Sequence, residues 1–115
     1  MIWWVGDIAE FTRSQQPNFI VIGQNAAELA ADDKYLDIVD AIAQEQIWFD
    51  GAADNDPPGD LSLAREKGAI VFTIDYALEP DNVAFVFETS RALGFVPFAS
   101  NRALNLFFPP MLNQE

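Results

Sequence analysis

The sequence predicts an α/β fold in which about four parallel strands alternate with helices. Three observations lead there. A short, continuous apolar run at residues 19–23 is how a parallel strand covered by neighbours reads, and 69–75, apolar but for Thr73 and Asp75, is the clearest strand. The stretches around them carry apolar residues at helical spacing, and Gly68 and Gly94 stand where helices should stop. Half of the 115 residues are apolar, ten of them Phe, which suffices for a packed core despite 18 acidic side chains against six basic ones.

The first element is a helix. Trp4, Ile8 and Phe11 recur at helical spacing, with Val5 and Thr12 beside them, until Gln15-Gln16-Pro17-Asn18 breaks the pattern. The chain thus opens inside a helix without a cap, as an internal cut would leave it. Trp3 and Trp4 are expected in the core, the usual place for aromatic residues of an amphipathic helix, with a sugar platform as the alternative. Residues 19–23 form the first strand, ending in Gln24-Asn25. Asn25 with Glu28 three positions on satisfies a capping box for a short helix over 26–31, although Asn25 suits a ligand contact equally well.

Residues 36–43 read as a helical turn running into a short second strand, with Glu45 just past its C-terminal end. Residues 50–60, rich in Asp and holding Pro57-Pro58, read as a loop. Asp54-Asn55-Asp56 opens like a calcium loop, but Pro58 and Arg65 fall where oxygen ligands are required, so no metal site is expected. Residues 61–67 form a helix ended by Gly68, and 69–75 the clearest strand. Pro80 suits a first helical turn, and 83–93 form a helix ended by Gly94. Residues 95–99 form the last strand, with Pro97 tolerable only near an end or a bulge. Ser100 then caps a closing helix through Phe107.

This order of helices and strands is the alternation of right-handed βαβ units. Four strands cannot close a barrel, which takes about eight, and 115 residues fall well short of the roughly 250 of a complete (β/α)8 barrel. The expected architecture is a single partial domain over 1–115, the C-terminal half of a TIM barrel with two open edges and an open inner face. Such a unit calls for self-association or for pairing with a front-half barrel.

Composition narrows the chemistry. A net charge of −12 repels phosphate backbones and excludes nucleic acid as a partner, while favouring cationic ligands. Without Cys or His there is no disulfide, no thiol nucleophile and no imidazole base, so carboxylates must do any acid/base work, and no cofactor is expected. No apolar run approaches the roughly 20 residues of a membrane span, and the start Met1-Ile-Trp-Trp-Val carries no export signal.

Ligands of parallel α/β sheets bind at the C-terminal ends of the strands. Those positions are Gln24-Asn25, Glu45, Asp75-Tyr76 and Ser100-Asn101-Arg102. Thr73 and Asp75 share a face of their strand, so if Thr73 points into the barrel, Asp75 lies at its mouth; otherwise Asp75 caps the next helix. Trp48 and Tyr76 suit either sugar stacking or core packing.

Residues 18–29 (NFIVIGQNAAEL) and 35–45 (YLDIVDAIAQE) resemble the glycoside hydrolase family 114, the endo-α-1,4-polygalactosaminidase-like barrels. The later blocks agree: Ile-Asp-Tyr-Ala within 70–77, and Gly-Phe-Val-Pro-Phe at 94–98 before Arg102 and Leu104. The resemblance runs from about Ile8 to Leu106, and departs where Gly23 and Ala26 replace a commoner Pro and Gly and where the link from Asp56 to Gly68 is short. It implies a polysaccharide hydrolase acting on α-glycosidic bonds of a galactosamine polymer, with Glu45 as general acid/base. Its partner carboxylate, an Asp, would sit on an earlier strand outside this chain. Substrate contacts would come from Gln24, Asn25, Trp48, Asp75, Tyr76 and Arg102, and a mouth lined by Glu45, Asp75 and Asp50 would suit a cationic amino sugar. Half of a two-carboxylate constellation should not turn over alone. The alternative is a carbohydrate-binding or half-barrel assembly module without catalysis.

Overall fold

The computed structural model describes residues 2–49 and 57–106. The order is α1 (Ile2–Gln15), β1 (Ile22–Gln24), a 3-10 turn (Ala27–Ala31), α2 (Asp33–Ile38), β2 (Ala41–Glu45), α3 (Pro57–Glu66), β3 (Ile70–Tyr76), α4 (Pro80–Ala92) and β4 (Val96–Ser100). The four strands form one parallel sheet in the spatial order β1-β2-β3-β4.

That order decides where the core lies. When every crossover moves one strand in the same direction with the same hand, all connecting helices fall on one side of the sheet. Ile42 and Val71, opposite one another in register, accordingly pack with Ala27, Ala30, Tyr35, Leu61, Ala64 and Phe95 into the main core. Ala99 joins Val83, Val86 and Phe87 of α4 in a second cluster. Pro57-Pro58, expected in a loop, instead begin α3, in keeping with proline's fit to a first helical turn. Gly68 and Gly94 both take positive φ, 101° and 82°, and end α3 and α4 as expected.

The opposite side of the sheet carries Ile22, Ala41, Ile70, Phe72, Ile74, Val96 and Phe98 by alternation and register. None belongs to either core cluster, and Ile70 is 54% exposed. Register ranks these side chains in layers across the sheet, Ile22 with Ala41 and Ile70, then Ala43 with Phe72 and Val96. Four strands, singly wound, with the helices of the described residues on one side, are compatible with half of a barrel. Pro97 lies in β4, an edge strand among the described residues, where a missing ladder donor is tolerated.

Two expectations about the ends need correction. Trp3 and Trp4 are not core residues: they are 86% and 75% exposed, while α1 packs through Ile2, Val5 and the buried Ala9. The far end of α1 is tied down by Arg13, whose guanidinium donates to the Ile38 carbonyl (2.7 Å) and to Asp40 (2.9 Å). Asp40 also accepts the Val21 N–H (2.8 Å), which holds its carboxyl below the usual range, and so the starts of β1 and β2 are joined. Nor does Ser100 cap a closing helix. It is the last residue of β4 and donates to the Leu106 carbonyl (2.8 Å), while Asn101 accepts the Asn105 N–H and Leu104 adopts a left-handed φ of 56°, folding 101–106 into turns. Phe107 lies outside the described residues.

Candidate functional site

Glu45 is the last residue of β2, not one beyond it, and is opposite Ile74 in the sheet. It therefore projects from the helix-free side at the C-terminal end of the strands. Two neighbours grip it. The Tyr76 hydroxyl, from the end of β3 and the same side, donates to Glu45 Oε1 at 2.6 Å, and the Asn25 amide donates from Nδ2 to Oε2 at 2.8 Å.

Asn25 occupies this position because β1 has just ended. Its backbone N–H still bonds the Ala43 carbonyl (2.9 Å), but its φ of 57° turns the chain away. Asparagine tolerates that left-handed conformation better than most residues. The side-chain Oδ1 then accepts the Glu45 backbone N–H at 2.9 Å, replacing the strand carbonyl that β1 no longer supplies. Capping, the structural use foreseen for Asn25, does not occur: the 3-10 turn has Ala26 at its N-cap position and no side-chain cap.

Both donors favour the charged carboxylate, and Tyr76 first, then Asn25, hold the Glu45 carboxyl below the ordinary glutamate range against a smaller opposing cost of desolvation. Reciprocally, the carboxylate pushes the Tyr76 phenol upward. Arg102 stacks its guanidinium over the Tyr76 ring at 5.2 Å. Gln24 is exposed at the end of β1, in register with Ala43 and so on the same side as Glu45. The structure thus gathers Gln24, Asn25, Glu45, Tyr76 and Arg102 at one rim.

Asp75 and Trp48 are not part of that group. Asp75 follows Val71 and Thr73 on the helix side, is fully buried, and accepts the backbone N–H groups of Trp48 (2.9 Å) and Ile47. Burial pushes its carboxyl upward, opposed by those two N–H bonds. It neither lines the mouth nor caps α4, whose N-cap is Glu79. Trp48 donates its indole N–H to the buried Ser90 hydroxyl (2.9 Å) and meets Phe85 edge to face, so its ring is spent on packing. Asp50 lies outside the described residues. Ser90 and Gln44 carry no motif and sequence reasoning gave them no role, while Thr73 served only to orient Asp75. Yet Gln44 Oε1, Thr73 Oγ1 and Asp75 Oδ2 are buried oxygens without a hydrogen-bond partner among the described residues, grouped by register on the helix side. A separate cleft of about 470 Å3 between α1 and α2, lined by Trp3, Asp7, Glu10 and Asp32 among others, shares no residue with the rim.

Fold and rim together define a class: a singly wound parallel α/β unit presenting a hydrogen-bonded carboxylate at its strand ends. The chain is 35% identical over 112 aligned positions to an uncharacterized protein of Deinococcus radiodurans. That alignment covers 91% of this chain and 36% of the relative, so the chain spans about a third of the relative's length. No protein family matches the sequence, and no solved structure matches it.

Proposed function

We propose that this chain is the C-terminal half of a (β/α)8 barrel from a polysaccharide hydrolase resembling endo-α-1,4-polygalactosaminidase. In its full-length form the protein would hydrolyse α-glycosidic bonds of a galactosamine-containing polymer, with Glu45 as one of two catalytic carboxyl groups. The observation that carries this reading is the placement of Glu45 on the helix-free side, at the C-terminal strand ends, between Asn25 and Tyr76. Barrel enzymes keep their reacting groups at that rim. The net charge of −12 favours a cationic amino sugar over an anionic one. The test is Glu45→Gln in a protein completed with a front half. Loss of a catalytic carboxyl is expected to lower polymer hydrolysis by roughly 100-fold to 10,000-fold, and unchanged hydrolysis removes the assignment.

A second reading, a half-barrel assembly or carbohydrate-binding module without catalysis, is favoured by the half-exposed apolar layers around Ile22, Ile70 and Val96. Under it, Glu45→Gln in the completed protein weakens sugar binding and no hydrolysis is detectable in either form.

A further inference from the structure

We infer that Asn25 and Tyr76 are positioning residues which fix Glu45 as an ionised carboxylate, so that the proton received by the leaving sugar oxygen comes from a different carboxyl group. The inference rests on the hydrolase reading above and changes the part Glu45 plays in it.

The argument begins with the Asn25 amide. Its Oδ1 is committed to the Glu45 backbone N–H, a group that can only donate. The amide therefore cannot flip, because a flip would set NH2 against N–H. With Oδ1 fixed, Nδ2 must face Glu45 Oε2, and an NH2 can only donate. A proton on Oε2 would meet that donor head on.

The other oxygen is less constrained by chemistry, since a phenol both donates and accepts. At 2.6 Å from Oε1, the Tyr76 hydroxyl makes the short bond typical of O–H donation to a carboxylate. Arg102 lies over the Tyr76 ring on the same side, and among the described residues Tyr76 and Asn25 are the groups that act on the Glu45 carboxyl. The helices cannot intervene, as they pack on the opposite side of the sheet.

A resting proton donor needs the reverse environment, one that raises its carboxyl and leaves an acceptor for its proton. Glu45 has neither. In hydrolysis the bond between the anomeric carbon and the leaving oxygen breaks, and the leaving oxygen keeps the electron pair. That oxygen takes a proton from a second carboxylic acid, the Glu45 carboxylate stabilises the positive charge that develops at the anomeric carbon, and a water molecule then bonds to that carbon and returns a proton to the second carboxylate. The general-acid role implied by the family resemblance thus passes to a group outside the described residues.

Carboxyl-carbon NMR titration of the chain as it stands tests this without substrate. In the unaltered protein, the Glu45 signal is expected to titrate below ordinary glutamate. Asn25→Ala and Tyr76→Phe should each shift its midpoint upward, a change that a merely structural role would not produce. If either variant fails to fold, the unaltered protein still decides, together with Glu45→Gln, which should lower the titration midpoint of the Tyr76 phenol followed by ultraviolet absorbance. A Glu45 midpoint at or above ordinary glutamate, or one unmoved in both folded variants, overturns the inference. Failure of the hydrolase reading shows separately, as unchanged hydrolysis by Glu45→Gln in the completed protein.

Discussion

Asp75 and Trp48, 27 residues apart, are joined by a 2.9 Å hydrogen bond from the Trp48 backbone N–H to the buried Asp75 Oδ1. The bond fixes the first residues after β2, because Ile47 donates to the same carboxylate and Gln46 donates to the Ile74 carbonyl (2.7 Å). The chain leaving Glu45 is thereby stapled from behind the sheet. Asp75→Ala strands two buried N–H groups and is expected to cost about 2–4 kcal/mol, whereas Asp75→Asn keeps an acceptor and should cost clearly less. Urea unfolding of both variants checks the order.

The two carboxyl groups on opposite sides of the sheet respond to pH with opposite sign. Asp75 is raised in the folded state, so its stabilisation is complete below the ordinary aspartate value and is lost as pH climbs through the folded one. Glu45 is lowered, so its contribution is present above the ordinary glutamate value and is lost as pH falls through the folded one. Asp75→Asn should therefore flatten the decline on the higher-pH side of the aspartate range, and Glu45→Gln the decline on the acid side, in stability measured across pH.

Ser90 is a fully buried hydroxyl whose visible task is to accept the Trp48 indole N–H. Ser90→Ala should cost on the order of 1 kcal/mol, and Trp48→Phe with Ser90→Ala together should cost less than the sum of the two single changes. A double-mutant cycle by chemical denaturation gives the comparison.

Gly23 faces Tyr35, and a Cβ there would overlap the phenol oxygen. Gly23→Ala is expected to destabilise the fold by about 1–3 kcal/mol through overpacking, with part of the loss recovered by adding Tyr35→Phe. Thermal unfolding of the single and double variants tests it. This contact gives a physical reason for glycine at position 23.

The side of the sheet that no helix of the described residues covers makes a prediction of its own. Sedimentation of the purified chain should show association at micromolar concentration, and Ile70→Glu, at a half-exposed position, should reduce it without loss of helix content. A compact monomer for the unaltered chain would argue against an open half-barrel.

What the residues revealed in advance depended on how many faces each element buries. β3 was legible because a mainly apolar, β-branched-rich run between Gly68 and Pro80 admits little else, and it appears one residue later than expected, at Ile70–Tyr76. β1 was harder: of the apolar run at 19–23, only Ile22 and Gly23 enter the ladder. Alternation showed that Thr73 and Asp75 share a side of β3, but with apolar residues on both sides it could not tell which side faces the helices. The partnership of Asn25 and Glu45 was equally hidden, because it depends on the left-handed turn at Asn25. α1 was correctly placed by spacing and wrongly buried, since apolar periodicity signals a surface to be covered and not the presence of its cover.

The strands stand in space in the order in which a ribosome delivers them. Each new strand finds its neighbour already synthesised, so the sheet can grow by successive short closures and never has to admit a late strand into its middle. Translation can therefore lay down this unit from one edge to the other, and a pause after any crossover leaves a shorter version of the same sheet.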